Sequence, residues 1–454
     1  MKDIIKLSFL KKSINASPSQ ILVIGFAAII LSGAILLNLP MASKDGNSVG
    51  FINALFTATS AVCVTGLVVV DTATHWTPFG QVIIIALIQI GGLGFMTMST
   101  LLSLLVGRRI TLRERIMMQE ALNLDELEGL VRLTKSIIIA TFTIEAAGAV
   151  MYSTVFVPEF GMKKGMIMGL FHSVSAFCNA GFDLIGGFKS FSPYVNNAVI
   201  NFTTMLLIII GGLGFTVWMD IYNNRSFGRL SLHSKVVLSV TGFLITVGAL
   251  FLFMIEYNNP ATMGGLPLSG KILSSLFHSV SPRTAGFNTI DNAAFTSSSK
   301  FLTIILMFIG GSPCSTAGGI KTTTAGILFL TVVSVITGRE DAEVFEKRIS
   351  KTIVYRALAV TAAGLFIVTG VTMILSIAEN ADFLTLMYES ASAFGTVGLS
   401  LNYSPNLSLI GKLIVSATMF SGRVGPLTLV VALAQRASRH KSNLKYPEDK
   451  ILVG

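Results

Sequence analysis

Charge-free apolar runs long enough to cross a bilayer as helices recur along the chain, and polar residues gather between them. Eight runs are predicted as spans, at approximately 21–39, 78–106, 136–157, 198–219, 236–255, 301–336, 357–378 and 407–434. The sixth is interrupted at 310–321, and the last carries Arg423 inside it. Pro78 to Val106, read as one helix, is roughly 44 Å long against a hydrocarbon layer of about 30 Å, so it must tilt or protrude. Ile21–Leu39 is too long for the apolar region of a signal peptide and is expected to be the first span.

Between successive pairs of spans lies a shorter apolar segment, and the four segments overlay: ALFTATSAVCVTGL from Ala54, GLFHSVSAFCNAGF from Gly169, SLFHSVSPRTAGF from Ser275 and LMYESASAFGTVGL from Leu386. Each has an aromatic (Phe56, Phe171, Phe277, Tyr388), then a serine (Ser60, Ser175, Ser281, Ser392), then a glycine (Gly66, Gly181, Gly286, Gly398). The glycines are 115, 105 and 112 residues apart, so the unit of span, short segment and span is about 110 residues long. A second landmark closes each unit: GGLGF after Ile90 and again after Ile210, GGSPC after Ile309 and SGRVGP after Phe420. The second glycine of each lies 26, 31, 25 and 24 residues past the first landmark, which puts a flexible point midway along each closing span. For the first two copies, close helix packing through small residues is the alternative.

Each short segment supplies about ten helix-compatible residues before its glycine, roughly half a bilayer crossing, and reads as a re-entrant half-helix. Non-helical backbone at membrane depth survives where it is buried in protein or lines a wet cavity. Four such stretches converging on an axis could present carbonyl oxygens that replace the hydration shell of a permeating cation. Glycine permits the backbone geometry that turns those oxygens inward.

Composition agrees with a polytopic all-α membrane protein: of 454 residues 52% are hydrophobic and only 12% charged. The net charge of +10 is spread in short runs rather than over one soluble face, which argues against nucleic acid as a partner. Cys63, Cys178 and Cys314 sit in apolar sequence and are odd in number, so no disulfide framework is expected. Segments 1–20, 107–135, 220–235, 338–356 and 435–454 together hold 23 Lys and Arg, and the opposite side holds seven, so both termini are expected in the cytoplasm. The repeats then occupy 21–106, 136–219, 236–337 and 357–434, joined by cytoplasmic segments 107–135, 220–235 and 338–356, with a cytoplasmic N-terminus 1–20 and C-terminus 435–454.

In its four units ending Thr65-Gly66, Ala180-Gly181, Ala285-Gly286 and Val397-Gly398, the chain resembles the Ktr/Trk/HKT superfamily of potassium transporters over essentially its whole length. The run GSPCSTAGGIKTTT from Gly311, the run SGRVGPLTL from Ser421 and the short basic N-terminus look most like the KtrB-type membrane subunits of Ktr systems. The resemblance implies one pore per chain, with an ion filter formed by the backbones of Val62, Cys63, Val64, Thr65 and Gly66; of Phe177, Cys178, Asn179, Ala180 and Gly181; of Arg283, Thr284, Ala285 and Gly286; and of Phe394, Gly395, Thr396, Val397 and Gly398. In this family a glycine at all four filter positions goes with potassium, and a serine in the first often goes with sodium. Potassium is therefore the expected cargo, held by backbone carbonyls, with sodium as a candidate activator. The resemblance also implies a homodimer in the cell membrane on a ring of cytosolic, KtrA-like nucleotide-binding regulatory subunits, through which ATP favours and ADP opposes activity. The chain itself is expected to bind no cofactor.

Four glycines and a proline in the ten residues Gly310, Gly311, Ser312, Pro313, Cys314, Ser315, Thr316, Ala317, Gly318 and Gly319 cannot hold a continuous helix. The family has its gating intramembrane loop here; a kinked helix without a gating role is the alternative. Arg423 falls on the leucine of GGLGF when the fourth copy is laid over the first. An intramembrane cation is costly and functional by default. The matching family arginine is assigned a barrier to leak, and pairing with carbonyls at 312–316 is compatible with that role. Arg283 is expected to be a structural donor outside the ion path, Lys321, close enough behind the loop to snorkel toward the cytoplasm, to anchor rather than take part in permeation, Glu145 to bond within the bundle, and His172 and His278 to serve hydrogen bonding rather than metal. No phosphate loop and no convergent catalytic set occur, so the chain should be no enzyme. A Trk-type or sodium-conducting member of the superfamily, and a transporter with ions at broken helices, stand as alternatives.

Overall fold

The computed structural model describes residues 18–94, 97–98, 115–116, 119, 130–339, 341–425 and 428. The ends of the second and eighth runs, most of the expected segment 107–135 and both termini lie outside these residues.

The protein is a helical membrane protein. Among the described residues, four helices are long and apolar enough to cross a bilayer: α1 (Pro18–Leu37), α4 (Leu130–Phe160), α8 (Leu232–Glu256) and α12 (Lys351–Ala378). Their outer faces stay apolar and uncovered, with Phe366 77% and Ile377 87% exposed on α12, as lipid contact requires. Each is followed by a shorter helix that packs against it: α2 (Phe51–Val62), α5 (Met162–Phe177), α9 (Leu268–Val280) and α13 (Phe383–Gly395). After an irregular stretch come the apolar helices α3 (Pro78–Leu93), α6 (Ala198–Leu213), α10 (Ser297–Phe308) and α14 (Leu409–Val424). Side chains fix where these four begin, because Thr77, Asn197, Thr296 and Ser408 each accept a first-turn backbone N–H, at 3.1 to 3.3 Å.

The closing spans depart from the expected long helices. α3 and α6 run straight through their Gly-Gly pairs and stop at the next glycine, Gly94 or Gly214, where φ is 84° or 96°; α14 stops likewise at Gly425 with φ 92°. The expected flexible point at the second glycine is thus displaced by two residues in α3 and α6 and by three in α14, and Pro78 to Val106 is not one long helix. An L-residue strongly resists this left-handed backbone, so the positive-φ glycine is what ends each of these helices. Beyond Gly214 the chain turns by 94° into α7 (Phe215–Asn224). α10 ends at Phe308, and the chain resumes as α11 (Thr322–Ile336) after a loop. A short antiparallel hairpin, β1 (Glu343–Val344) with β2 (Lys347–Arg348), precedes α12.

The glycine pairs have a packing role. A Cβ on Gly91, Gly211 or Gly422 would overlap the carbonyl oxygen of Val62, Phe177 or Phe394, so the closing helices press directly on the ends of α2, α5 and α13. This contact also corrects the register of the fourth copy. Gly422 matches Gly91 and Gly425 matches Gly94, so Arg423 stands in the place of Gly92 rather than of Leu93.

Candidate functional site

α2, α5, α9 and α13 end where the expected filter segments begin, so the negative ends of four helix dipoles face those segments. The backbone then repeats one conformation. Val64, Asn179, Thr284 and Thr396, each two residues before a glycine, have φ of 57°, 60°, 70° and 51°, and Gly66, Gly181, Gly286 and Gly398 have φ of 89°, 68°, 78° and 90°. β-branched Val64, Thr284 and Thr396 are strained there, and the surroundings must hold them. Much of that hold is local. The N–H before each glycine donates to the carbonyl of the repeated serine: Thr65 to Ser60 at 2.8 Å, Ala180 to Ser175 at 2.7 Å, Ala285 to Ser281 at 3.0 Å and Val397 to Ser392 at 2.8 Å. The serine hydroxyls add a second tie, with Ser60 accepting from Gly66 N at 3.0 Å and Ser392 from Gly398 N at 3.1 Å, while Ser175 donates to Phe182 O at 2.7 Å and Ser281 to Phe287 O.

The four segments touch in cyclic order. A Cβ on Gly66 would strike the carbonyl oxygen of Ala180, one on Gly181 that of Ala285, one on Gly286 that of Val397 and one on Gly398 that of Thr65, which closes the ring. Over the glycines lies an open cavity of about 430 Å³, lined also by Asp183, Lys189, Asp291 and Asn402. Burial first, and then the Asp71 carboxylate, push the Asp183 carboxyl up from 3.8 to about 6, against the amide bonds from Ile185 and Gly186.

The loop between α10 and α11 is pinned at both ends, by Gly310 N to Ile320 O at 2.8 Å and Thr322 N to Gly311 O at 3.0 Å. Its middle docks on the end of α6: Ser312 N donates to Gly212 O at 2.9 Å, Thr316 N to Gly211 O at 3.2 Å, and Phe215 N, opening α7, to Cys314 O at 2.8 Å. Thr316 Oγ1 donates to Phe177 O at 3.3 Å, and a Cβ on Gly318 would strike Thr396, so the loop lies directly against two of the ring segments. Arg423 donates to Thr316 O on this loop and to Gly91 O and Gly92 O at the end of α3.

Of the other charges, Arg283 turns its guanidinium away into α8, to the carbonyl and hydroxyl oxygens of Thr241 at 3.4 and 3.3 Å, as a structural donor would. The Lys321 ammonium donates to Ala317 O at 2.7 Å, tying the loop to itself. Glu145, on α4, accepts from the Gln89 amide at 3.0 and 3.3 Å, within the bundle. His172 and His278 accept backbone N–H groups. Sequence reasoning missed two things here: Asp183, which had no signal beyond its place two residues after Gly181, and Gly214, whose phase relative to the glycine pair was visible.

Residues 15–444 match the family described as TrkH, cation transport protein. The chain is 42% identical to Ktr system potassium uptake protein B of Bacillus subtilis over 98% of this chain and 98% of the relative. It is 43% identical to potassium/sodium uptake protein NtpJ of Enterococcus hirae over 99% and 100%. The crystal structure of the potassium transporter TrkH from Vibrio parahaemolyticus shares the fold, with a TM-score of 0.75 at 18% identity over 94% of this chain and 86% of that one.

Proposed function

Because the chain belongs to the TrkH family of cation transport proteins, we propose that it is the ion-translocating membrane subunit of a Ktr-type potassium uptake system. It is not an enzyme: its relatives are transporters. In this reading α1 to α3, α4 to α6, α8 to α11 and α12 to α14 are four units about a pseudo-fourfold axis, amounting to eight spans around one pore. A dehydrated potassium ion passes through rings of backbone oxygens from the four segments, and the aligned helix ends lower its energy there. The loop 310–319 is the gate beneath the filter, and the Arg423 cation raises the barrier to leak. The chain works as a homodimer in the cell membrane with both termini cytoplasmic, and a ring of cytosolic KtrA-like subunits, sensing ATP and ADP, controls the gate.

The observation that carries this reading is the closed ring of contacts from Gly66 to Ala180, Gly181 to Ala285, Gly286 to Val397 and Gly398 to Thr65. Four backbones without side chains at the point of closest approach are what a carbonyl filter needs and what helix packing alone does not. The test is potassium and sodium uptake in potassium-uptake-deficient cells expressing the chain with and without a cytosolic regulator. Potassium-selective uptake that grows with the regulator supports the reading; absence of alkali-cation flux from correctly inserted protein sinks it. Because one 43% identical relative is a potassium/sodium uptake protein, sodium uptake by the wild type is the specific second outcome to measure.

A further inference from the structure

α5, α9 and α13 each carry a fully buried acceptor at one equivalent position, directly after the repeated aromatic: His172, His278 and Glu389. Each receives a backbone N–H three residues past the glycine of its own segment. Leu184 N donates to His172 Nε2 at 3.1 Å, Thr289 N to His278 Nε2 at 3.3 Å, and Leu401 N to Glu389 Oε1 at 3.2 Å. Ile290 N adds a second bond to His278 Nε2 at 3.2 Å, and the hydroxyls of Ser400 and Ser404 donate to Glu389, the latter at 2.7 Å. At the matching position of α2, Thr57 donates its hydroxyl to Asn53 O in its own helix at 2.9 Å.

An imidazole and a carboxylate thus do one job, so the common property is a lone pair at a fixed place rather than a ring or a charge. His172 Nδ1 lies 2.7 Å from the Met168 carbonyl, which can only accept; Nδ1 therefore carries the hydrogen and Nε2 is the bare acceptor. His278 Nε2 faces two N–H groups and must be bare as well.

We propose that His172, His278 and Glu389 are positioning residues of the filter, and that potassium-over-sodium discrimination depends on the lone pair each presents. The inference rests on the filter reading above. Each strained segment is tied on its entry side by the repeated serine and on its exit side by this acceptor, with only two residues between the glycine and the clamped amide. A backbone tied at both ends resists closing around the smaller sodium ion. Releasing the exit side strands a buried N–H and lets the carbonyls move.

The test separates reach from polarity. Gln places an acceptor near the position of Nε2 or Oε1, whereas Asn is as polar but too short. In cells carrying the regulator, His278→Gln and Glu389→Gln are expected to keep the potassium-to-sodium uptake ratio within about twofold, and His278→Asn and Glu389→Asn to lower it about tenfold. Wild-type ratios in the Asn variants, with a lowered ratio in Gly286→Ser measured alongside, overturn this inference and leave the filter standing. An unchanged ratio in Gly286→Ser as well removes the filter reading beneath it. Should the Asn variants fail to insert, hydrogen exchange on the wild-type protein in potassium buffer decides: the amides of Leu184, Thr289 and Leu401 are expected to be protected, and exchange at open-loop rates refutes the clamp.

Discussion

The guanidinium of Arg423 donates to the carbonyl oxygen of Thr316, 107 residues earlier in the chain, and so fastens the end of α14 to the loop between α10 and α11. Its other terminal nitrogen reaches Gly91 O and Gly92 O, which adds the end of α3 to the same junction. Charge-assisted bonds to carbonyls are among the stronger single contacts, and this side chain makes three. Arg423→Ala is expected to raise potassium uptake without the regulator by about tenfold, and Arg423→Lys, which keeps the charge but not the fork, by less. Uptake by Arg423→Ala that still depends on the regulator as the wild type does would count against the gate.

Gly66 has φ of 89°, and a Cβ there would meet the carbonyl of Ala180 in the next segment. Gly66→Ser therefore combines backbone strain of about 1–3 kcal/mol with a displaced ring oxygen. The expected result is an inserted protein whose potassium-to-sodium uptake ratio falls at least about tenfold, read from competing ion uptake.

Asp183 faces the cavity above the ring, and its carboxyl is held up at about 6 chiefly by burial. Its charge is present above that pH and lost below it, so uptake at low external potassium should fall as external pH drops from about 7.5 to about 5. Stability moves the opposite way. A carboxyl raised from 3.8 to about 6 on folding binds its proton more tightly in the native state, so the native state gains as pH falls through that window and loses as it rises. Asp183→Asn should flatten both profiles, checked by uptake assays and thermal melts across the same pH series; profiles that keep the wild-type slope would exclude Asp183 as their origin.

Gly214 ends α6 with φ of 96°, and a Cβ there would strike the carbonyl of Pro313. Gly214→Ala must push the loop off α6 or unbend the turn into α7, and either change breaks the bond from Phe215 N to Cys314 O. Regulator-independent uptake is expected to rise several-fold, by an amount comparable with one lost backbone bond. A variant with wild-type uptake and an unshifted melting temperature would show that the loop does not depend on this junction.

Some of this was fixed by the linear chain. Hydrophobic run length sets membrane insertion residue by residue, so the long helices α1, α4, α8 and α12 could be read directly from composition. The recurrence of an aromatic, a serine and a glycine marked Ser60 to Gly66 and its three counterparts, because a local backbone conformation needs local residues. Tertiary structure alone decided what those segments touch. Whether Gly66 abuts Ala180, whether Arg423 bonds Thr316, and whether Lys321 reaches Ala317 or the interface depends on packing between elements a hundred or more residues apart, except for the last, which depends on the path of a loop. The displaced register of Arg423 has the same cause. Laying GGLGF over SGRVGP aligns letters, whereas the contacts of Gly91 with Val62 and Gly422 with Phe394 align the helices that press on the ring, and only contact sets the register of one helix against another.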